Sequence, residues 1–154
     1  MVRLSKNFTL QEYIKSQTAT RKGLDNTPNE EHLAKAKVLF ENVVQKVRDN
    51  FGVTVINSGY RGPALNEAVG GSSKSQHCKG EAVDIECPGT ANYDVCKWIE
   101  ENLDFDQLIL EFYTPGIPDS GWVHVSYKSE GNRKSVLTAM KENGKTVYKN
   151  GLIQ

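Results

Sequence analysis

The stretch Ser75-Gln76-His77-Cys78-Lys79-Gly80-Glu81-Ala82-Val83-Asp84 constrains this chain more than any other. It holds an imidazole and a carboxylate seven positions apart, with a glycine between them. Side chains alternate along a strand, so an odd separation would put His77 and Asp84 on opposite faces of an unbroken one. The two converge only if the backbone turns after His77, and Gly80 permits such a turn at little steric cost. From Glu81 the residues read as a strand. Val83, Ile85 and Cys87 form an apolar face due for burial, and Ala82, Asp84 and Glu86 form the other. Asp84 is thereby carried into a cleft beside the small Ala82.

Gly121-Trp122-Val123-His124-Val125-Ser126-Tyr127 has the same logic. Its valines and Tyr127 share one face, and Trp122, His124 and Ser126 share the other, so His124 projects from a strand whose back is core. Two histidines and an aspartate make three nitrogen and oxygen donors. Three protein ligands and an open position are the pattern of a catalytic zinc site. Either histidine alone reads more readily as an ordinary polar residue with one hydrogen bond. The chain has only three histidines, however, and two of them centre strand-like segments with matching alternation.

These motifs, with Ser58-Gly59-Tyr60-Arg61 upstream, resemble the zinc D-Ala-D-Ala carboxypeptidase and L-alanyl-D-glutamate endopeptidase family. That family includes bacterial cell-wall peptidases and phage endolysins, and Hedgehog signalling domains share its fold. The similarity runs from about Phe8 to Tyr127. It implies an α+β fold, a mainly antiparallel sheet with packed helices. It further implies one zinc ion on His77, Asp84 and His124, and an Arg61 that stabilises the substrate carbonyl as it becomes an oxyanion. Ser75, Tyr60 and Trp122 are the implied substrate contacts. The implied substrate is a peptidoglycan stem peptide, cut either internally or at a terminal D-Ala-D-Ala.

The general base needs a separate argument. Several relatives place an acidic residue three positions before the last histidine, and here that position is Gly121. Phe105 to Phe112 reads as a strand with Leu108, Leu110 and Phe112 on one face and Gln107, Ile109 and Glu111 on the other. A glutamate ending such an apolar strand is costly without a partner or a cleft. Antiparallel pairing with the His124 strand would bring Glu111 to the ligand face. A glutamate also closes the equivalent strand in Hedgehog-type domains. Glu111 is therefore the expected base, with Asp119 in the intervening loop as the alternative.

Length and charge set the frame. The chain of 154 residues suits one domain with a real core, 1–154. Within it, 1–26 forms an N-terminal helix and loop, and 129–154 a C-terminal hairpin. Nineteen basic and nineteen acidic residues cancel, so net charge points to neither a nucleic-acid nor a membrane partner. No apolar run reaches transmembrane length, and Met1 to Phe8 has no apolar core of a signal peptide. The three cysteines, Cys78, Cys87 and Cys96, match no disulfide framework and read as reduced thiols of a cytoplasmic setting. A monomer is expected. With no export signal, the resemblance implies a phage-type or virion-associated lysin, cytoplasmic until release. Two rivals stand beside it: a metal-bearing binding module without catalysis, and a dipeptidase acting on free D-Ala-D-Ala.

Local signals fill in the scaffold. Thr9 and Glu12 form a capping box with Phe8 and Tyr13 as the hydrophobic staple. Thr18 to Asn26 reads as a loop. Thr27 caps the main helix with Pro28 at its first position, and Leu33, Ala36, Phe40, Val43, Val44 and Val47 make its buried stripe. Asn50 or Gly52 ends it, and His32 lies on its polar side without a role. Val53 to Ser58 is a strand, Ala64 to Val69 one helical turn, and Gly70 to Ser73 a flexible approach to the metal loop. Asn92 caps a helix that buries Val95, Cys96, Ile99 and Leu103. Ser135–Met140 and Lys145–Tyr148 pair around a tight Asn143-Gly144 turn.

Overall fold

A computed structural model describes residues 2–71 and 75–153. Ser72 and Ser73, part of the expected approach to the metal loop, lie outside the described residues. A short ribbon opens the chain: β1 (Arg3–Ser5) pairs with β2 (Phe8–Thr9). The capping box then starts α1 (Leu10–Ile14). Thr9 Oγ1 accepts from Glu12 N, and the Glu12 carboxylate accepts from Thr9 N. Phe8 and Tyr13 are both buried, and each packs edge-on against Phe40.

The expected loop from Thr18 contains a helix, α2 (Gln17–Lys22). Ser16 caps it by accepting from Ala19 N, and Gly23 closes it with φ +67°. It has no apolar stripe because only Ala19 is buried, so hydrophobic periodicity gave no sign of it. The main helix starts two residues later than Thr27 and Pro28 imply. Its cap is Asn29, whose side chain accepts from His32 N at 2.8 Å. It runs as α3 (Glu30–Leu39), a π-helical segment (Phe40–Val44) and α4 (Gln45–Phe51), ending at Gly52 with φ +87°. The expected stripe is buried apart from Leu33, which is only partly so.

β3 (Val55–Ser58) follows, two residues shorter than expected because its ladder begins only at Val55, opposite Glu86. Next come α5 (Pro63–Ala68), a 3₁₀ turn (Gln76–Lys79) and β4 (Ala82–Glu86). In α6 (Asn92–Asn102), Asn92 is the first helical residue rather than the cap. Its buried side chain donates to Ser120 O and Gly121 O at 3.0 and 3.2 Å and to Glu86 Oε1 at 3.1 Å. A helix start thus pins the far end of the 113–121 loop. β5 (Gln107–Glu111), β6 (Trp122–Ser126), β7 (Ser135–Glu142) and β8 (Lys145–Asn150) complete the chain. Asn143 and Gly144, with φ of +51° and +76°, make the tight turn between the last two.

Six strands form one sheet in the order β3-β4-β6-β5-β7-β8. Every pair is antiparallel except β5 and β7, which run parallel from Gln107↔Ser135 to Glu111↔Ala139. The sheet is therefore mixed, which corrects the expectation of a mainly antiparallel one. The cause is a short crossing. β6 ends beside the start of β5, so residues 127–134 need only step over that start to lay β7 on its other side. Hydrogen bonds from Ser135 N to Asp106 O and from Lys134 N to Phe105 O fix the crossing.

One face of the sheet is core. Val83, Ile85, Leu108, Leu110, Val123 and Val125 are fully buried there, together with residues of the main helix and α6. Phe112 does not join them. It sits beyond β5 with φ +55° and packs on Trp122 at 5.5 Å between ring centres. The opposite face carries the polar residues described next. No helix among the described residues is long and apolar enough to cross a membrane.

Candidate metal centre and groove

The 3₁₀ turn makes the reversal that His77 and Asp84 require. Ser75 Oγ accepts from His77 N at 3.2 Å, and Gly80 closes the turn with φ +76°. A Cβ at Gly80 would overlap the carbonyl oxygen of His32, so main helix and turn are in backbone contact. His77 is buried, with Nδ1 2.8 Å from the Gly59 carbonyl oxygen. A carbonyl only accepts, so Nδ1 carries the proton and the Nε2 lone pair is left facing Asp84 Oδ1, 3.4 Å away.

Register supplies the third donor. Asp84 on β4 lies directly opposite His124 on β6, and His124 Nδ1 is 2.9 Å from Asp84 Oδ1. The donor atoms of His77, Asp84 and His124 all lie within 4.8 Å of one another, so the group could hold a metal ion. The donor chemistry fits one: two imidazole nitrogens and a carboxylate, with the His77 tautomer set from behind by a backbone carbonyl. Burial would raise the Asp84 pKa, but the hydrogen bond from His124 and the electrostatic attraction of the two histidine rings outweigh it. They hold the carboxyl well below its ordinary range.

Glu111 stands one strand further along. It pairs with Trp122, and its Oε2 accepts from Trp122 Nε1 at 2.6 Å. Burial, then the charge of Asp84, pushes its pKa up, offset in part by His124, Trp122 and His77. Arg61 approaches from β3's far end. It donates from Nη2 to Ser75 Oγ at 3.1 Å and from its backbone N to His77 O at 3.1 Å. Its Nε is buried without a partner among the described residues. All of these side chains line one groove of about 600 Å³.

Two expected residues are placed elsewhere. The Tyr60 ring is buried in the core. Its hydroxyl is 2.9 Å from His32 Nδ1, so it faces the main helix rather than the groove. The same contact gives His32 a partner that its polar-side position did not suggest. Asp119 lines a separate depression with Val55, Glu86 and Thr90. Ser75 and Trp122 do line the groove. Gly121, where relatives carry an acid, has φ +65°, and a Cβ there would overlap Glu111 O and come within 2.7 Å of Phe112 C. No side chain fits at that position. Gly121→Ala is expected to cost about 1–2 kcal/mol for the left-handed backbone and about 1–3 kcal/mol for overpacking. A denaturant midpoint indistinguishable from the parent's would contradict this.

One buried group had no sequence signal. Asp106 is fully buried and binds Gln76, the neighbour of His77, together with Arg133. An acid opening a strand reads as solvated, and its partner lies 27 positions further on.

A scan against family models matches residues 6–126 to the family described as Peptidase M15. No curated protein matches the chain significantly. The match covers well over half of the 154 residues and includes His77, Asp84, Glu111 and His124. The chain belongs to the peptidase M15 family, whose members are zinc-dependent metallopeptidases.

Proposed function

We propose that this protein is a zinc peptidase that hydrolyses peptide bonds in peptidoglycan stem peptides. The observation that carries the reading is the meeting, in one groove, of His77, Asp84 and His124 with Glu111 on one side and Arg61 on the other. A purely structural metal needs neither a base nor an oxyanion donor, which argues against a binding module. The 113–121 loop would have to lid the groove for a small free dipeptide. It is tied instead to Asn92, and none of its residues is among the groove's described lining. That favours a longer peptide substrate.

His77 through Nε2, His124 through Nδ1 and the Asp84 carboxylate would hold the ion. Zinc bound there supplies Lewis acidity, acidifying a water and polarising the scissile carbonyl. Glu111 takes the proton of the attacking water and returns it to the leaving amine. Trp122 holds Oε2 and leaves Oε1 for this transfer. The burial that raises the Glu111 pKa brings it nearer to that of a working base. Arg61, which lines the same groove, would donate from its guanidinium to the developing oxyanion.

Mass spectrometry of purified peptidoglycan incubated with the protein tests the reading. New fragments are expected that vanish with chelator and return with zinc, and their masses name the bond. Metal-loaded protein that releases no fragment from any wall type would overturn it.

A further inference from the structure

A buried carboxylate such as Asp106 is costly unless it is paired. Its partner comes from beyond residue 126, where the family match ends. Arg133 donates from Nε to Oδ1 at 3.0 Å and from Nη2 to Oδ2 at 2.8 Å. Its backbone N adds a bond to Oδ1 at 3.1 Å, and Gln76 Nε2 donates to Oδ2 at 3.0 Å. Burial alone would raise the Asp106 pKa. Hydrogen bonds and charge from Arg133, with the charge of Lys128, hold it below the ordinary carboxylate range instead.

This clamp uses one fork of the guanidinium. A guanidinium has five N–H donors, and the three left over, two of them forming the second fork, have no protein partner among the described residues. The Arg133 side chain is 56% exposed and lines the groove, as does Lys128, which makes no ion pair among the described residues. A guanidinium fixed from behind, with its second fork free, is preorganised for a planar anion.

We propose that Arg133, assisted by Lys128, binds a carboxylate of the peptide substrate and is a specificity-determining residue. The proposal rests on the peptidase reading above. Stem peptides offer two candidate groups, the D-glutamate carboxylate and the chain terminus.

The test uses zinc-loaded protein and three synthetic probes: a stem pentapeptide, and the same peptide with either carboxylate converted to the carboxamide. One carboxamide is expected to lose about 10–100-fold in kcat/KM, mainly through KM, the worth of a charge-assisted hydrogen bond. That probe names the group bound. Arg133→Lys keeps a cation for Asp106 but lacks the second fork. It is expected to lower turnover of the parent peptide to the carboxamide level, leave the carboxamide rate unchanged, and unfold within a few degrees of the parent protein. Lys128→Gln, which has no ion pair to lose, is expected to show a smaller loss on the same probe, and it decides the matter if Arg133→Lys is unstable. Equal rates on all three probes, or equal losses on all three in the variants, would overturn the proposal while leaving the peptidase intact. Calorimetric binding of the probes to the Glu111→Gln variant gives a readout without turnover. Discrimination there, with no cleavage by the parent, would keep this subsite and sink the peptidase reading.

Discussion

Glu111→Gln is expected to lower kcat by a factor of about 10²–10⁴, the usual worth of a positioned general base, and to leave bound zinc unchanged. The substitution is close to isosteric. The side-chain carbonyl of glutamine still accepts from Trp122 Nε1, which lies 2.6 Å from the present carboxylate, so the packing of Trp122 on Phe112 is retained. The ability to take a proton is lost. Metal content by inductively coupled plasma mass spectrometry, measured beside peptide turnover, separates the base from a ligand. Asp119→Asn is the matched control and is expected to change little, because Asp119 lines a different depression. Full turnover by Glu111→Gln, or loss of zinc with it, would remove Glu111 from the role proposed for it.

Asp84→Asn should abolish zinc binding and peptidase activity together. Asp84 Oδ1 lies between the two imidazoles, 2.9 Å from His124 Nδ1 and 3.4 Å from His77 Nε2. It is also the only anionic donor of the three. Loss of a residue that merely supports a ligand costs about 10–100-fold in metal affinity, and loss of the charged ligand itself lies beyond that. Folding gives a second readout. A ligand present at 1,000 times its Kd stabilises the native state by about 4 kcal/mol. The parent protein is therefore expected to melt several degrees higher with zinc than with chelator, and Asp84→Asn to melt at one temperature in both. A zinc-dependent shift that survives in Asp84→Asn would show that the ion is held elsewhere.

The polar face was legible because its rule is local. Alternation alone put Asp84 and His124 opposite a buried valine and isoleucine face, and one glycine marked where His77 must turn back. What could not be read is set by distant segments. Tyr60 follows a glycine whose missing side chain lets the chain touch α1, where a Cβ would overlap Tyr13 O. The Tyr60 hydroxyl meets His32, and nothing in Gly59-Tyr60-Arg61 encodes where the main helix begins. Nothing local marks Asp106 as buried, because its partner Arg133 lies 27 positions further along the chain. The parallel pairing of β5 with β7 was hidden for a similar reason. A period of two tells which face a residue takes and says nothing of strand direction.

That parallel pairing also has a consequence for the life of the molecule as a chain. Leu108, Ile109 and Leu110 run consecutively along β5, with β7 covering the side away from β6. If the chain stopped at Ser126, or were nicked between Tyr127 and Lys134 and lost its last segment, these residues would border open solvent with their backbone N–H and C=O groups unpaired. An uncovered apolar border of this kind recruits strands from other molecules. The last two strands thus act as a built-in guard against self-association, and a clipped or unfinished copy is expected to clump before it has lost a single metal-site residue.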